Sequence, residues 1–311
     1  QYLKKNYLFE NSPKIAVAVS GGPDSMCLVY LLNNWIKKKK GTLIALIVDH
    51  NIRNNSLKEA TYINKYLKKS KIRSKIIKVN KENIIKKNMN EARRNRFEKL
   101  IIYCEKKNIL HLFLGHHHDD NLETYLLRKI AGSNFEGLRS IQNKSIVKKL
   151  RILRPLLAFK KKHILTFNSN NEINFIKDPS NYDFKYSRVL VRNFLSENPE
   201  LAKNIKENFE NIKKYYPLFK KMIFQIFNKL TYNIYKNSIV VENKNFFIQD
   251  PEIQNKIVEI IYKFLQPERR NPRYQKIQLM IKLIKNKENL KTNLAGIIVK
   301  KDKVFISFGL N

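Results

Sequence analysis

The sequence predicts a doubly wound α/β domain with a parallel sheet, followed by a smaller, mainly helical domain. Up to residue 132, short apolar strands alternate with helical segments. These strands are apolar throughout, which is typical of parallel strands that are buried on both faces of a sheet. From about residue 197 to 285 the pattern is mostly helical and rich in Lys, Asn and aromatic residues.

The predicted elements of the first domain follow a regular strand–helix order. We predict strands over 14–20, 42–50, 74–79 and 111–116, and helices over 24–38, 56–70, 90–108 and 119–132. Ser56 and Glu59 have capping-box spacing, which supports the start of the second helix. In a sheet of this type, ligands bind outside the carboxyl ends of the strands.

The 311 residues are enough for one large domain or two ordinary ones. We predict a catalytic domain over residues 1–200 and a second domain over 201–311. The second domain is expected to be mainly helical and to end in a β-hairpin over 296–308, with its turn at Lys301 and Asp302.

The composition limits the class of protein. There are 62 Lys and Arg against 26 Asp and Glu, a net charge of +36, which favours a polyanionic partner such as nucleic acid. A biased genomic composition would also give many Lys, Asn and Ile residues, so this alternative stays open. The only cysteines, Cys27 and Cys104, exclude a disulfide framework and a Cys-rich zinc site.

The chain shows no sign of a membrane segment. No apolar run approaches the roughly 18 residues of a membrane-spanning helix, and the first residues lack the pattern of a signal peptide. We therefore expect a cytoplasmic protein with no membrane partner.

The stretch "SGGPDS" joins the first strand to the first long helix. Glycines let backbone N–H groups crowd around an anion, and a helix N-terminus adds partial positive charge. The loop therefore predicts a phosphate cradle, although it matches neither GxxxxGK[ST] nor GxGxxG. The alternative is a tight turn in which Asp24 or Ser25 caps the helix. The residues of the cradle are Ser20, Gly21, Gly22, Pro23, Asp24 and Ser25.

A second polar stretch, "GHHHDDNLET" at 115–124, follows the fourth strand. The strand delivers His116 to the carboxyl edge of the sheet, and Asp120 and Glu123 share a helix face. Such carboxylates beside a phosphate site suit Mg²⁺ and a cationic amine. The alternatives are a capping box with Asp120 at the cap and a zinc site. Zinc is disfavoured because neighbouring histidines of a strand point to opposite faces and Cys ligands are lacking.

The end of the second strand is another candidate position. Asp49 and His50 lie where the base or ribose of a nucleotide is bound in a doubly wound sheet, although an ordinary strand end is an equal alternative. Arg53 follows in a loop where it could meet phosphate. Arg93 and Arg96 share a helix face, and a guanidinium suits phosphate or a base edge.

These motifs carry a resemblance to a known family. "SGGPDS" matches the SGGxDS signature of the PP-loop ATPases at every fixed position. The order and spacing of further stretches resemble the tRNA(Ile)-lysidine synthetase family over roughly residues 14–195. After residue 195, the chain resembles the family only in its length and in the stretch "LAGIIVKKDKVFIS" at 294–307. The further stretches are "VDHNIRNNSLKEA" (48–60), "EARRNRFEKL" (91–100), "GHHHDDNLET" (115–124), "RPLL" (154–157) and "DPSNYDFKYSRVLVR" (178–192).

The resemblance implies a PP-loop ATPase fold of the adenine nucleotide alpha-hydrolase-like type and an RNA-modifying ligase. In that family, ATP activates C2 of the wobble cytidine in the CAU anticodon of tRNA(Ile), and pyrophosphate is released. The amine of L-lysine then displaces AMP to give lysidine. Codon reading changes from AUG to AUA and charging changes from Met to Ile. The implied cofactors are ATP and Mg²⁺, the partners are tRNA(Ile) and L-lysine, and the family suggests that the protein could be a homodimer.

The resemblance also implies roles for individual residues. ATP would be bound by the cradle with Asp49 and His50, and Mg²⁺ by Asp24 and Asp120. The implied catalytic residues are Asp24, His116, Asp120 and Glu123, with Glu123 as a partner of the lysine ammonium; Asp119 receives no role. The implied tRNA contacts are Arg53, Arg93, Arg96, Arg128, Arg154, Arg188 and Arg192.

Two other functions remain as alternatives. A different PP-loop tRNA-modifying enzyme, such as a tRNA thiolase, would need paired cysteines if it used cysteine or iron–sulfur chemistry. A non-catalytic RNA-binding protein would bind RNA without releasing AMP, and the intact "SGGPDS" argues against it. In the helical half, we expect that the aromatic residues among lysines form a helix core rather than stack on RNA bases. These residues are Tyr215, Tyr216, Phe219 and Phe224, and we also expect Asp178 and Asn181 to stabilise a turn.

Overall fold

A computed structural model describes residues 1–49, 56–78, 89–176, 183–269 and 271–310, with only the backbone described for 89–93. Contacts divide the chain into two compact units. The first comprises Gln1–Ala131 and Ser140–Lys206, and the second comprises Gly132–Arg139 and Glu207–Asn311. Within the described ranges, no helix is both long and apolar enough to cross a membrane.

The elements are numbered in chain order. Up to residue 230 they are α1 (Tyr2–Asn6), β1 (Lys14–Val19), α2 (Pro23–Lys38), β2 (Thr42–Asp49), α3 (Ser56–Lys69), β3 (Ser74–Lys78), α4 (Met89–Lys106), β4 (His111–Phe113), α5 (His118–Ile130), α6 (Phe135–Leu138), β5 (Lys144–Val147), β6 (Leu150–Leu153), a 3₁₀ turn (Pro155–Ala158), α7 (Lys161–Asn170), α8 (Ser187–Glu197) and α9 (Pro199–Leu230). The remaining elements are β7 (Thr231–Tyr235), β8 (Ser238–Glu242), α10 (Asn243–Ile248), α11 (Pro251–Leu265), α12 (Tyr274–Lys285), β9 (Leu290–Leu294), β10 (Ile297–Lys301) and β11 (Phe305–Gly309).

A six-stranded sheet in the order β3-β2-β1-β4-β6-β5 forms the centre of the first unit. The strands are parallel except for β5, which runs antiparallel to β6 at the edge. The predicted doubly wound α/β fold is therefore confirmed, and the predicted strands correspond to β1–β4. The sequence did not predict β5 and β6, because they are only four residues long and β5 is partly exposed.

Helices cover both faces of this sheet. On β1, Ile15, Val17 and Val19 pack in one core with residues of α2, α3 and α7. The intervening Ala16 packs in a second core with residues of α4. This burial on both faces explains why the strand is apolar throughout. Because β1 and β4 are parallel neighbours, the loops that follow them lie at the same edge of the sheet.

Two glycines allow close packing around these loops, Gly115 against the start of α2 and Gly21 against α3. A Cβ atom on Gly115 would lie 3.1 Å from the backbone nitrogen of Ser25 and 3.2 Å from the carbonyl carbon of Asp24. Gly21 has a φ of +86°, and a Cβ there would lie 2.9 Å from Cγ1 of Ile63. The loop after β4 therefore packs directly on the backbone that starts α2.

The N-terminus of α7 is capped from a different element. The N-cap residue Lys160 provides no side-chain hydrogen bond. Instead, Oδ2 of Asp119 in α5 accepts a hydrogen bond from the Lys161 N–H at 2.9 Å. Burial alone would raise the pKa of Asp119, but hydrogen bonds from His118 and from the Lys161 N–H lower it to about 2. Asp119, which received no role from the sequence, thus fixes the start of α7.

The second unit contains a five-stranded antiparallel sheet in the order β7-β8-β11-β10-β9. The hairpin predicted over 296–308 corresponds to β10 and β11, which pair with each other. The prediction of a mainly helical domain missed β7, β8 and β9. The stretch "TYNIYKNSIVVE" carries a usable signal, because two β-rich runs flank the Lys236–Asn237 turn.

The aromatic residues of α9 divide between core and surface. Tyr216 is buried, and the Phe219 ring centroid lies 4.9 Å from that of Phe135. The core interpretation is confirmed for these two residues. It is wrong for Tyr215 and Phe224, which are 48% and 60% exposed.

We predict that Gly115→Ala destabilises the first unit by roughly 1–3 kcal/mol, because the new methyl group meets backbone atoms that cannot move independently. Urea unfolding followed by fluorescence of Trp35, the single tryptophan of the chain, reports on this unit's core. Gly22→Ala is the control in the same unit, since its Cβ would meet no atom closer than 3.6 Å. Equal effects of the two substitutions would contradict the close packing at Gly115.

We also predict a pH-dependent effect of Asp119→Asn. The folded pKa of about 2 lies below the ordinary value of 3.8, so the carboxylate stabilises the fold above about pH 4, and this stabilisation is lost as the pH falls towards 2. At pH 7 the variant should unfold roughly 2–4 °C lower, as expected when a helix cap is weakened.

The measurement is thermal unfolding of both proteins between pH 7 and pH 2.5. The difference should shrink as the pH falls, and the exposed Glu207→Gln serves as a charge-matched control. A difference in unfolding temperature that does not change with pH would show that the Asp119 charge plays no part.

Candidate active site

The loop 20–25 leads directly from β1 into α2. Gly22 occupies the N-cap position of α2, and no side chain caps the helix, so the alternative in which Asp24 or Ser25 caps it is wrong. The Ser25 hydroxyl instead stabilises the loop through hydrogen bonds. It donates to the Gly22 carbonyl at 3.0 Å and accepts from the Ser20 N–H at 3.2 Å. A helix N-terminus without a side-chain cap leaves positive backbone dipoles for an anion.

Asp24 is paired with a lysine that the sequence did not single out. Nζ of Lys161 lies 2.7 Å from both carboxylate oxygens of Asp24. Further along α7, the buried Asn168 donates from Nδ2 to the Pro23 carbonyl at 2.9 Å. Helix α7 thus contacts the loop at two points. Lys161 was missed because it lies within a run of three lysines that has no distinguishing pattern.

His117 lies between the two predicted metal ligands. Its Nε2 is 3.9 Å from Oδ1 of Asp24 and 3.6 Å from Oδ2 of Asp120. The residue is also the N-cap of α5: its Nδ1 accepts from the Asp119 N–H at 3.2 Å, and Asp120 accepts from the His117 N–H at 2.9 Å. The capping box is therefore formed by His117 and Asp120, so the alternative in which Asp120 and Glu123 form it is wrong.

The donors around His117 fit a cation that is bound together with phosphates. Mg²⁺ is usually held by one or two carboxylates, with water and substrate phosphates completing its octahedron. Asp24 and Asp120 offer such a pair. In the part of the chain that the structure describes, no group of three or more His, Cys, Asp and Glu residues could hold a metal ion by itself. His116, the other predicted catalytic residue of this loop, is partly buried next to His117 in the chain.

Glu123 is a buried carboxylate with one free oxygen. The residue is 2% exposed, and its Oε1 accepts from Nε of Arg192 at 2.7 Å. Its Oε2 is buried and has no hydrogen-bond partner among the described residues. Burial raises the pKa of Glu123, and the ion pair with Arg192 opposes only part of this increase. For Arg192, burial alone would lower the pKa, but the hydrogen bond and charge of Glu123 raise it above its ordinary value. An unpartnered buried oxygen is costly unless a ligand binds it.

Helices α5 and α8 bring three predicted RNA-contacting arginines to this region. Arg192 binds Glu123, Arg188 donates to the Thr124 hydroxyl at 3.1 Å, and Arg128 donates to the Ser140 carbonyl at 3.3 Å. Burial lowers the pKa of Arg128, and the nearby charge of Arg188 lowers it further.

Of the other predicted arginines, Arg154 follows β6 and Arg96 lies on α4. Arg154 bonds to the Gln142 carbonyl at 2.9 Å and to the Ser145 hydroxyl at 3.0 Å, so its guanidinium is used within the fold. Arg96 is partly buried on α4, where only the backbone of Arg93 is described. The predicted positions that lie outside the described residues are His50, Arg53, Asp178 and Asn181.

Asp49 ends β2 at the same edge of the sheet as the loop 20–25. The register pairs Val19 with Ile47, so Asp49 lies two residues further along, beside the loop that follows β1. The residue is buried, and its Oδ1 accepts a hydrogen bond from the Ser56 hydroxyl at 2.7 Å. This position agrees with the site expected for the ribose or base of a nucleotide.

The two cysteines are separated by the sheet. Cys27 of α2 and Cys104 of α4 lie in the cores on its opposite faces. Both are free thiols, and burial raises the pKa of each to about 12. Neither is therefore a thiolate near neutral pH, and the two cannot bind one metal cluster together.

Comparisons with known sequences identify the family of the chain. A family model of the PP-loop domain matches residues 1–199. The tRNA(Ile)-lysidine synthase of Wolbachia pipientis wMel is 41% identical over 192 residues, which cover 60% of this chain and 44% of the relative. The tRNA(Ile)-lysidine synthase of Orientia tsutsugamushi (strain Boryong) is 30% identical over 305 residues, which cover 94% of this chain and 68% of the relative.

A solved structure supports the fold. The U34-tRNA thiolase NcsA from Methanococcus maripaludis, determined with its [4Fe-4S] cluster, matches with a TM-score of 0.57 and 22% identity, over 70% of this chain and 77% of that one. The present chain spans less than half of the Wolbachia relative and about two thirds of the Orientia relative. The PP-loop match over residues 1–199 and the relationship to the Orientia enzyme show that this chain belongs to the tRNA(Ile)-lysidine synthase family and carries its ATP-binding PP-loop domain.

Proposed function

We propose that the protein uses ATP to join L-lysine to C2 of the wobble cytidine in the CAU anticodon of tRNA(Ile), forming lysidine. The observation that carries this proposal is the convergence of the loop 20–25 with Asp120 at the carboxyl edge of β1 and β4. The oxygen at C2 is a poor leaving group, so ATP must first adenylate it with release of pyrophosphate. The lysine amine then attacks C2, and AMP leaves with the oxygen.

The loop side of the site would bind ATP. The N-terminus of α2 and the glycines of "SGGPDS" would hold the pyrophosphate, because positive backbone dipoles attract an anion there. Asp49, at the end of β2 beside this loop, would accept a hydrogen bond from a ribose hydroxyl. Asp24 and Asp120 would hold Mg²⁺, which neutralises phosphate charge when it is bound. His116 and His50 stay in this assignment as predictions.

The Glu123 side of the site would bind lysine. The free Oε2 of Glu123 is an acceptor for the lysine ammonium in a place from which water is largely excluded. Burial raises the pKa of Glu123, and the ion pair with Arg192 partly opposes this and so favours the ionised form that would bind an ammonium. An amine must lose a proton before it attacks C2, and a carboxylate beside it is a suitable acceptor.

The net charge of the chain and the predicted RNA-contacting arginines support tRNA binding. A net charge of +36 draws a polyanion to the protein. Arg128, Arg188 and Arg192 lie beside the carboxylates of α5, where they could contact the anticodon loop. Arg53, Arg93 and Arg96 are proposed to contact tRNA elsewhere. Arg154 would act by positioning its loop, because its guanidinium is already hydrogen-bonded.

Sulfur transfer is the main competing reaction, because a thiolase shares the fold. The two cysteines of this chain lie on opposite sides of the sheet and are buried as thiols. They supply neither a cluster site nor a persulfide pair. The geometry therefore supports amine ligation better than thiolation.

Incorporation of labelled lysine tests the reaction directly. The protein is mixed with ATP, Mg²⁺, labelled L-lysine and a CAU-anticodon tRNA(Ile) transcript. We expect label on the RNA that depends on ATP and disappears when the wobble cytidine is replaced by uridine. AMP release with a different RNA or nucleophile, but no lysine on this transcript, would overturn the proposed substrate.

Two variants should separate the two halves of the reaction. Glu123→Gln should raise the KM for lysine by about tenfold or more, because a charge-assisted contact is lost, while pyrophosphate release without lysine is largely kept. Asp24→Asn should lower the rates of both pyrophosphate release and lysine incorporation by at least about 100-fold, because the Mg²⁺ that binds the phosphates loses a ligand.

Pyrophosphate release and lysine incorporation are measured separately, with the exposed Glu200→Gln as the control. If Glu123→Gln slowed only the adenylation step, Glu123 would belong to the ATP side of the site. If Asp24→Asn retained full product formation, the assignment of Asp24 as a metal ligand would be wrong.

A further inference from the structure

The carboxylate of the phosphate-binding loop already has a cation bound to it. Nζ of Lys161 lies at the same 2.7 Å from Oδ1 and Oδ2 of Asp24, so one ammonium group bridges both oxygens. These are the oxygens that a divalent cation would need. Mg²⁺ and the ammonium carry like charges, so both cannot contact the same carboxylate oxygens at once without strong repulsion.

The backbone of Lys161 is fixed while its head group can move. Asp119 holds the Lys161 N–H, and Asn168 holds the same helix to Pro23. The side chains of Lys161 and Asp24 are 33% and 25% exposed, so neither head group is enclosed. A lysine has a flexible four-carbon stem, which allows the ammonium to change partner without a movement of α7.

Among the described residues, the carboxylates at the start of α5 already have partners. His117 and Asp120 bond to each other through the capping box, and Asp119 is used by His118 and α7. The phosphates of ATP, which the uncapped N-terminus of α2 would bind, would bring new oxygens close to Asp24 and so within reach of Lys161.

We propose that the Lys161 ammonium exchanges its partner when substrate binds. Without nucleotide it forms an ion pair with the Asp24 carboxylate, and it moves to a phosphate oxygen when a divalent cation binds Asp24. This inference rests on the proposed use of ATP. It makes metal binding and nucleotide binding depend on each other, because the metal must displace the ammonium from Asp24 and the phosphates of the nucleotide then accept it. The free protein would therefore bind divalent metal weakly, and Lys161 would add affinity for metal-bound ATP.

Binding of Mn²⁺, measured by electron paramagnetic resonance without nucleotide, tests the first half. We expect weak binding to the wild type and to Lys162→Met, which removes an exposed neighbouring lysine. Lys161→Met should bind Mn²⁺ about tenfold or more tightly, and Lys161→Arg should restore weak binding. Adding Asp24→Asn to Lys161→Met should remove the gain. Equal Mn²⁺ affinity of Lys161→Met and the wild type would overturn the proposal.

Calorimetry with ATP and saturating Mg²⁺ tests the second half. Lys161→Met should weaken ATP binding by about tenfold, because a phosphate contact is lost. Unchanged or tighter ATP binding would overturn the transfer of Lys161 to phosphate. If Lys161→Met fails to fold, as judged by thermal unfolding, Lys161→Gln replaces it in both measurements. Failure of the wild type to bind ATP would instead contradict the proposed function, and the Mn²⁺ experiment would still report on Lys161.

Discussion

The site depends on the close packing of the backbone at Gly115 against the first turn of α2. With no Cβ at this position, the loop after β4 lies directly on Asp24 and Ser25. The parallel pairing of β1 and β4 brings the two loops to one edge of the sheet. The missing Cβ of Gly115 then allows their backbones to come into contact. His117 can then lie between Asp24 and Asp120. A larger residue would separate the two carboxylates that the proposed reaction needs together.

Two of the carboxylates in this region are balanced by cations of the protein. Asp24 is paired with Lys161, and Glu123 is paired with Arg192. A buried carboxylate without such a partner would be costly, and its pKa would rise. Both pairs also lie where the proposed substrates bring their own charges. The fold can therefore be stable without substrates and still offer charged groups to ATP and lysine.

The sequence predicted the parts of the molecule in which local pattern and chemistry agree. Apolar strands and "SGGPDS" identified the sheet and the loop, and the Asp120–Glu123 spacing placed both carboxylates on α5. Lys161 could not be predicted, because its role arises only when α7 packs beside α2. His117 was missed for a related reason, since its function as a helix cap depends on the path of the chain after β4. The strands β5, β6 and β9 were missed because they are short and partly polar, whereas the β-rich runs around the Lys236–Asn237 turn could have predicted β7 and β8.

A double-mutant cycle on ATP binding tests most directly whether the two loops form one site. The dissociation constant of ATP in saturating Mg²⁺ is measured for the wild type, Asp24→Asn, Asp120→Asn and the double variant. If both carboxylates act on one metal–phosphate group, their effects should be non-additive by about 1 kcal/mol or more. Additive effects, within about 0.5 kcal/mol, would show that the two residues act independently and would contradict a shared site.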